Sequence, residues 1–208
     1  YELPTLPPVE GLKIKEVGDP LLMSILGKIS LEEATRRLAN DNKAYVAFCQ
    51  NTPASFGWMA MGKATIGELG HQIILPLDHR YLWNFRTFEE FRGLGIYPRL
   101  LQFILKAEQQ TAACFWIMHA PENTSSAKGI IKAGFRFDGN VSVIKTSQVI
   151  FAAAGEDHEL PESLGFNASE SPQATCWKCS SPYLAHKKTE CCCATAEKAC
   201  NGELFLHN

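Results

Sequence analysis

Residues 87–98 read Thr87-Phe88-Glu89-Glu90-Phe91-Arg92-Gly93-Leu94-Gly95-Ile96-Tyr97-Pro98. Residues 81–88, which lead into this stretch and overlap its start, favour a β-strand. Residues 96–108 repeat apolar side chains at helical spacing. A strand that turns through glycines into a helix leaves backbone N–H groups unpaired beside the positive end of the helix dipole. With Arg92 alongside, the stretch predicts a cradle for a phosphate group. The alternative is an ordinary strand-to-helix turn with a surface arginine.

The segment before this turn predicts an antiparallel meander with one early helix. Strands and extended chain are predicted over residues 12–17, 44–50, 55–61 and 66–75. The helix is indicated by the capping box Ser30-Leu31-Glu32-Glu33 and is expected to run to about Asn40. In that box, the Ser30 hydroxyl and the Glu33 side chain are each expected to bond a free backbone N–H.

The segment after the turn predicts a buried strand, a second helix and a closing strand. Residues 112–120 are apolar almost throughout, as in a central strand that is covered on both faces. The helix is expected from Asn123 to Gly134, because glycine adopts the left-handed backbone that ends many helices. Residues 141–150 are expected to close the sheet.

Composition limits the class of protein. The 208 residues are 46% hydrophobic and carry a formal net charge of −2. This is enough apolar sequence for a core, without the basic excess typical of proteins that bind nucleic acid or anionic membranes. The apolar runs are also much shorter than the roughly 20 residues that cross a bilayer. We therefore expect a cytoplasmic protein that binds neither nucleic acid nor a membrane; its oligomeric state is left open.

Two signatures resemble those of the GNAT superfamily of acetyl-CoA-dependent N-acetyltransferases. Residues 92–97 are similar to the superfamily's pyrophosphate loop, [QR]-x-x-G-x-[GA]. Residues 123–135 are similar to its second signature, which begins with Asn and ends with Gly-Phe. The resemblance covers residues 10–150, approximately, and implies an α/β (α+β) fold: a mixed, mostly antiparallel sheet, splayed at its middle and flanked by helices. It also implies direct transfer of an acetyl group from acetyl-CoA to a primary amine.

The resemblance assigns the acetyl-CoA contacts residue by residue. Beside Arg92, the pyrophosphate is expected on the backbone N–H groups of Gly93, Leu94, Gly95, Ile96 and Tyr97. Phe85 and Thr87 match the strand positions whose backbone pairs with pantetheine and polarises the thioester carbonyl. Asn123 and Ser126 match contacts to the pantetheine side of CoA, although Asn123 is equally well explained as a helix N-cap.

The general acid and base are not fixed by the resemblance. Ile130 replaces the tyrosine that protonates the CoA thiolate in many members, so His119 is the first candidate acid and Tyr97 the second. Tyr97 itself replaces the last small residue of the loop, and we expect its ring to turn away from the phosphates. Candidate bases are Glu68, His71, Asp78 and His79. Each candidate also fits a structural role: for His119 this is a hydrogen-bonded core histidine.

Two functions remain open at this stage. The leading hypothesis is an N-acetyltransferase, and the alternative, motivated by Ile130, is a module that binds acyl-CoA without catalysis. The acceptor is unknown. Alternation along the strand would place Tyr81, Trp83 and Phe85 on one face and Asn84 with Arg86 on the other, and either face could contact an acceptor.

Six of the eight cysteines lie in the last part of the chain. We expect residues 1–154 to form the acyltransferase domain and residues 155–208 a separate cysteine-rich tail. Cys176 and Cys179 have the C-x2-C spacing that suits one tetrahedral zinc. The further candidate ligands are His186, Cys191, Cys193 and Cys200. Disulfides and a reduced tail remain alternatives, and eight acidic against four basic residues argue against nucleic acid as its partner.

Overall fold

The computed structural model describes residues 2–67, 69–120, 123–143, 148–155, 162–168 and 202–208. The strands are β1 (Leu12–Val17), β2 (Asn42–Cys49), β3 (Thr52–Ala60), β4 (Lys63–Ile66), β5 (His71–Ile74), β6 (His79–Thr87), β7 (Cys114–His119), β8 (Arg136–Val143), β9 (Val149–Ala153), β10 (Asn167–Ala168) and β11 (Gly202–His207). The helices are α1 (Pro20–Gly27), α2 (Leu31–Ala39), α3 (Ile96–Glu108) and α4 (Thr124–Ala133).

Within the described residues, the main sheet has the strand order β1-β2-β3-β6-β7-β11-β8-β9-β10. Its strand pairs are antiparallel except for β6 with β7 and β9 with β10. The predicted mixed, mostly antiparallel sheet flanked by helices is therefore confirmed. None of the helices among the described residues is long and apolar enough to span a membrane.

Local capping signals account for the two helices near the amino terminus. The Ser30 hydroxyl accepts the N–H of Glu33 at 3.1 Å and starts α2, as predicted. The Glu33 carboxylate, however, binds Arg36 and Arg37 rather than a backbone N–H. Helix α1 was not predicted, although Asp19 followed by proline is a typical start signal: the Asp19 carboxylate accepts two backbone N–H groups of the first turn.

The prediction of one extended segment over residues 66–75 is wrong. The chain instead forms a hairpin in which β4 and β5 pair antiparallel, from Lys63 with Ile74 to Ile66 with His71. Turn residues between the two strands interrupt the extended backbone. This small sheet packs on the face of the main sheet that carries Tyr81 and Trp116.

The carboxy-terminal strand β11 lies in the middle of the sheet. It pairs antiparallel with β7, from Glu203 opposite His119, and also antiparallel with β8, from Gly202 opposite Val141. Leu204 and Phe205 are buried there. The prediction that residues 141–150 close the sheet as one strand is also wrong, because these residues are divided between β8 and β9 and the edge of the described sheet is β10. Residues 202–207 likewise do not belong to a tail that is separate from the domain over residues 1–154.

The sheet opens between its two central parallel strands. β6 and β7 pair only from His79 with Cys114 to Leu82 with Ile117. Beyond Leu82, β6 bulges: the ladder with β3 skips from Trp83 to Arg86, and Asn84 has a left-handed φ of +52°. Residues 83–87 therefore have no partner on β7, which is the predicted splay.

The bulge also changes which side chains share a face of β6. Trp83 packs on the side of α1 and α2, whereas Phe85 packs on the side of α3 and α4. Strict alternation would have put both rings on one face, so that prediction is wrong beyond Asn84. The consequence is that Phe85 faces α3 and α4 at the opening of the sheet.

A buried charge cluster fixes the carboxy-terminal end of α3 to the sheet. The carboxylate of Glu108, which is 4% exposed, contacts Lys43 Nζ at 2.6 Å, the Tyr45 hydroxyl at 2.9 Å and Arg80 Nε at 3.5 Å. Burial alone would raise the pKa of Glu108, but the hydrogen bonds from Lys43 and Tyr45 lower it below its usual value. These contacts hold α3 in a fixed direction, with its amino terminus at the opening between β6 and β7.

Candidate functional site

The glycine loop has the backbone conformation of an anion-binding turn. Gly93 and Gly95 have left-handed φ angles of +80° and +71°. Alternating left- and right-handed backbone points successive N–H groups to one side. Gly95 is the N-cap of α3, and no side chain among the described residues caps this helix. The first N–H groups of α3 are therefore available to a ligand.

An open groove of about 690 Å³ runs from this loop between β6 and α4. Nine of the ten residues predicted to bind the cofactor line it: Phe85, Thr87, Arg92, Gly93, Gly95, Ile96, Tyr97, Asn123 and Ser126. The tenth, Leu94, is half exposed and is not among the lining residues. The structure thus brings the two sequence signatures together on one surface, and their contacts with CoA remain a prediction.

The groove is lined by basic side chains and by no acidic ones among the described residues. Arg92 was predicted, but Arg86, Lys128 and Lys132 were not. Lys128 and Lys132 could have been predicted to lie together, because residues four apart share one face of a helix. Arg92 also donates from Nε to the carbonyl oxygen of Thr87 at 3.3 Å, which ties the loop to the end of β6.

Asn123 is the N-cap of α4, which is one of the two roles predicted for it. Its side-chain oxygen accepts the backbone N–H of Ser126 at 3.2 Å. The residue is exposed and lines the groove, and the cap uses only its side-chain oxygen. The N-cap and a ligand contact are therefore compatible.

Tyr97 connects α3 to both walls of the groove. Its ring centroid lies 5.5 Å from that of Phe85 on β6, and its hydroxyl lies 3.2 Å from Ser126 Oγ on α4. The ring also packs on Gly129, where a β-carbon would come within 2.4 Å of it. Burial raises the pKa of the Tyr97 phenol above its usual value.

His119 and Tyr97, the two candidate general acids, differ in their access to the groove, and neither occupies the position of Ile130. Ile130 is fully buried between α3, α4 and the sheet. The His119 side chain is 3% exposed, and its two ring nitrogens lie 2.8 Å from the Ala120 carbonyl oxygen and from a carboxylate oxygen of Glu203. His119 is not among the groove-lining residues. Its contacts are those of a hydrogen-bonded core histidine.

The three candidate bases that the structure describes, His71, Asp78 and His79, are not among the groove-lining residues. His79 begins β6, at the end opposite Thr87 and roughly 25 Å from it by strand rise. Its Nδ1 accepts the N–H of Trp116 at 3.0 Å, and burial lowers its pKa. Asp78 precedes it at the same end, and His71 bonds the Leu164 carbonyl at 2.8 Å. Glu68 lies outside the described residues.

The predicted zinc ligands Cys176, Cys179, His186, Cys191, Cys193 and Cys200 all lie outside the described residues. Where the chain is described, His, Cys, Asp and Glu side chains form no group of three that could hold a metal ion. In chain order, the cysteine-rich residues fall between β10 and β11. They are therefore an insertion between two strands of the sheet rather than a terminal extension.

A sheet that opens between two parallel strands, with a glycine loop and a helix amino terminus at the opening, defines the GNAT acetyltransferase fold. This chain has that fold. The ribosomal L7/L12 alpha-N-protein acetyltransferase RimL in complex with coenzyme A aligns over 99% of this chain and 97% of its own, with a TM-score of 0.53 and 13% identity. No protein-family model and no curated protein matches the chain.

Two further solved structures give the same result. The Salmonella typhimurium acetyl transferase that modifies the N-terminal serine of 50S ribosomal subunit protein L7/L12 aligns over 96% of this chain and 95% of its own, with a TM-score of 0.51 and 14% identity. The IAA acetyltransferase from Bacillus cereus ATCC 14579 aligns over 94% and 97%, with a TM-score of 0.50 and 12% identity. At these identities the similarity establishes a shared fold.

Proposed function

We propose that the groove binds acetyl-CoA and that the chain transfers the acetyl group to a primary amine. One observation carries the proposal: the glycine loop, the uncapped end of α3 and four basic side chains converge at the opening between β6 and β7. CoA carries a pyrophosphate and a further phosphate. Backbone N–H groups at a helix terminus and cationic side chains are the groups that bind such anions.

The residues present fit the parts of this ligand. The N–H groups of residues 93–97 would hold the pyrophosphate, while Lys128 and Lys132 on α4 would offset its charge. Residues 83–87 of β6, which have no partner on β7, offer backbone groups to the amides of the pantetheine arm. Bound acetyl-CoA supplies an acetyl group activated as a thioester. The protein's part is to orient that group beside an amine.

Transfer also requires proton handling, since the amine nitrogen loses a proton and the departing sulfur gains one. Tyr97 is the acid candidate that lines the groove, and burial, which raises the pKa of its phenol, makes it a weaker proton donor than a free tyrosine. We expect the general base, which takes the proton from the amine, to lie where the acceptor binds. Replacing Tyr97 with Phe should lower the turnover rate if the phenol donates this proton.

The alternative is a module that binds acyl-CoA without transfer. It is favoured by Ile130, which is buried where many GNAT members place a tyrosine, and by the engagement of His119 with Glu203. Calorimetry with CoA, followed by thiol release from acetyl-CoA over a panel of amines, separates the two functions. Binding with thiol release supports the transferase, and binding without release supports the module. Absence of binding overturns both.

The acceptor class to test first is the amino-terminal amine of a protein. Two of the structural neighbours are described as acting on ribosomal protein L7/L12, one of them at its N-terminal serine. A panel of short peptides with free amino termini, compared with the same peptides acetylated beforehand, tests this class directly. Small polyamines and lysine side chains serve as the competing acceptors.

We also propose that the cysteine-rich insertion holds zinc through Cys176 and Cys179 with two of the later candidates. The support is the C-x2-C spacing in the sequence. Both ends of this insertion are tied to the sheet, at β10 and β11. Zinc bound there would cross-link residues within the segment that connects those two strands.

A further inference from the structure

The ring of Tyr97 lies between the two walls of the groove and contacts both. It reaches from the first turn of α3 to Phe85 on one wall, and to Ser126 and Gly129 on the other. These walls carry the two sets of residues expected to contact pantetheine: Phe85 and Thr87 on β6, and Asn123 and Ser126 at the start of α4. A single side chain thus bridges both sets.

The contacts of Tyr97 leave no room for an extended arm between its ring and either wall. The 5.5 Å separation from the Phe85 ring is direct ring contact, and the 3.2 Å separation from Ser126 Oγ is a hydrogen bond. On the α4 side, the ring fills the space that any side chain larger than glycine at position 129 would need. An arm that lay between Phe85 and Ser126 would have to displace this ring.

We propose that Tyr97 is a gate of the cofactor groove. In the free protein, the ring closes the passage between β6 and α4, and the pantetheine arm of CoA binds only after the Tyr97 hydroxyl leaves Ser126 and the ring swings aside. The inference rests on the proposed function, because it takes CoA as the ligand. It adds a residue that controls how fast the arm enters.

The closing contact is weak enough to open on binding. It is one hydrogen bond between two neutral hydroxyl groups, and such a bond has a small net effect in water, equivalent to about a two- to tenfold change in an equilibrium. The cradle for the pyrophosphate does not depend on it, because the N–H groups of Gly93 and Gly95 belong to the loop itself. The phosphates can therefore dock before the gate opens.

Stopped-flow association kinetics with two ligands test the gate. CoA has the pantetheine arm, whereas 3′-phospho-ADP has the same pyrophosphate and no arm. Tyr97→Phe and Ser126→Ala should each raise the association rate of CoA about three- to tenfold, because each removes the closing hydrogen bond. The double variant should match the single ones, and Tyr97→Ala should gain at least about tenfold. The association rate of 3′-phospho-ADP should stay within about twofold in all four variants.

The outcomes separate the gate from other roles of Tyr97. Unchanged CoA association in Tyr97→Ala, or equal changes for both ligands, overturns the proposal. In the second case Tyr97 would shape the cradle rather than the path of the arm. If Tyr97→Ala does not fold, Tyr97→Phe and Ser126→Ala decide the question, because both keep the ring in place. Failure of the wild-type protein to bind either ligand would instead overturn the proposed function.

Discussion

Replacing Gly93 with alanine tests the phosphate cradle with a matched control elsewhere in the chain. Gly93 has a φ of +80° and Gly62 a φ of +69°, and a β-carbon at either position would meet no atom within 4 Å. Alanine therefore creates no clash at either site. Its cost is conformational, about 1–2 kcal/mol for left-handed backbone. The two variants should lose similar stability, a drop of about 2–8 °C in melting temperature for a chain of this size.

The two glycines differ in what the strain does to CoA binding. At Gly93, relaxation to negative φ turns the loop N–H groups away from the ligand. Losing one hydrogen bond to a charged phosphate oxygen is worth about 1.5–3 kcal/mol, so CoA should bind about ten- to a hundredfold more weakly. At Gly62, in the turn before β4, CoA affinity should not change. Calorimetry with CoA measures both, and equal affinity in Gly93→Ala and wild type would refute the cradle.

Four further predictions concern stability and metal content. Glu108→Gln should lower the free energy of unfolding by about 3 kcal/mol, because the buried Arg80 loses its charged partner. The control is Glu16→Gln, which removes the more exposed carboxylate beside the same Lys43 and should change the free energy of unfolding by less than about 0.5 kcal/mol. Urea unfolding measures both variants. Because folding lowers the pKa of Glu108 from its usual 4.5, its contribution is present above that pH and is lost as the pH falls, so acid should destabilise wild type more than Glu108→Gln. Deleting residues 202–208 should abolish cooperative unfolding by circular dichroism, since β7 and β8 lose their shared partner; a sharp transition would contradict the place of β11. Elemental analysis of reduced protein should find about one zinc per chain, and less than about a tenth of that would contradict the zinc proposal.

Elements with local signals could be predicted from the sequence. The apolar spacing of α3 and the caps at Asn123 and Gly134 lie within a few residues of the structure that they specify, and both helices form as predicted. The glycine loop could be predicted for the same reason. Its neighbours across the groove, Lys128 and Lys132, became candidates only when α4 was placed beside it.

The misplaced elements depend on contacts between distant residues. β11 is a short apolar run whose partner His119 lies 84 residues before Glu203, so nothing near it in sequence indicates a central strand. The bulge at Asn84 reverses the facing of Phe85 through a single left-handed residue. Asparagine tolerates that conformation better than most residues, but the residues around Asn84 have the pattern of a regular strand, so the sequence does not indicate a bulge there.

The position of β11 also affects how the protein is made. During translation, β7 and β8 emerge with a gap between them that only residues 202–207 can fill. At about 5–20 residues per second, the 59 residues from Val143, the end of β8, to Gly202 take roughly 3–12 s to synthesise. For that time two apolar strand edges remain unpaired, which is a condition that favours chaperone binding or aggregation. Production of this protein should therefore respond to translation speed and to chaperone supply more than its final stability suggests.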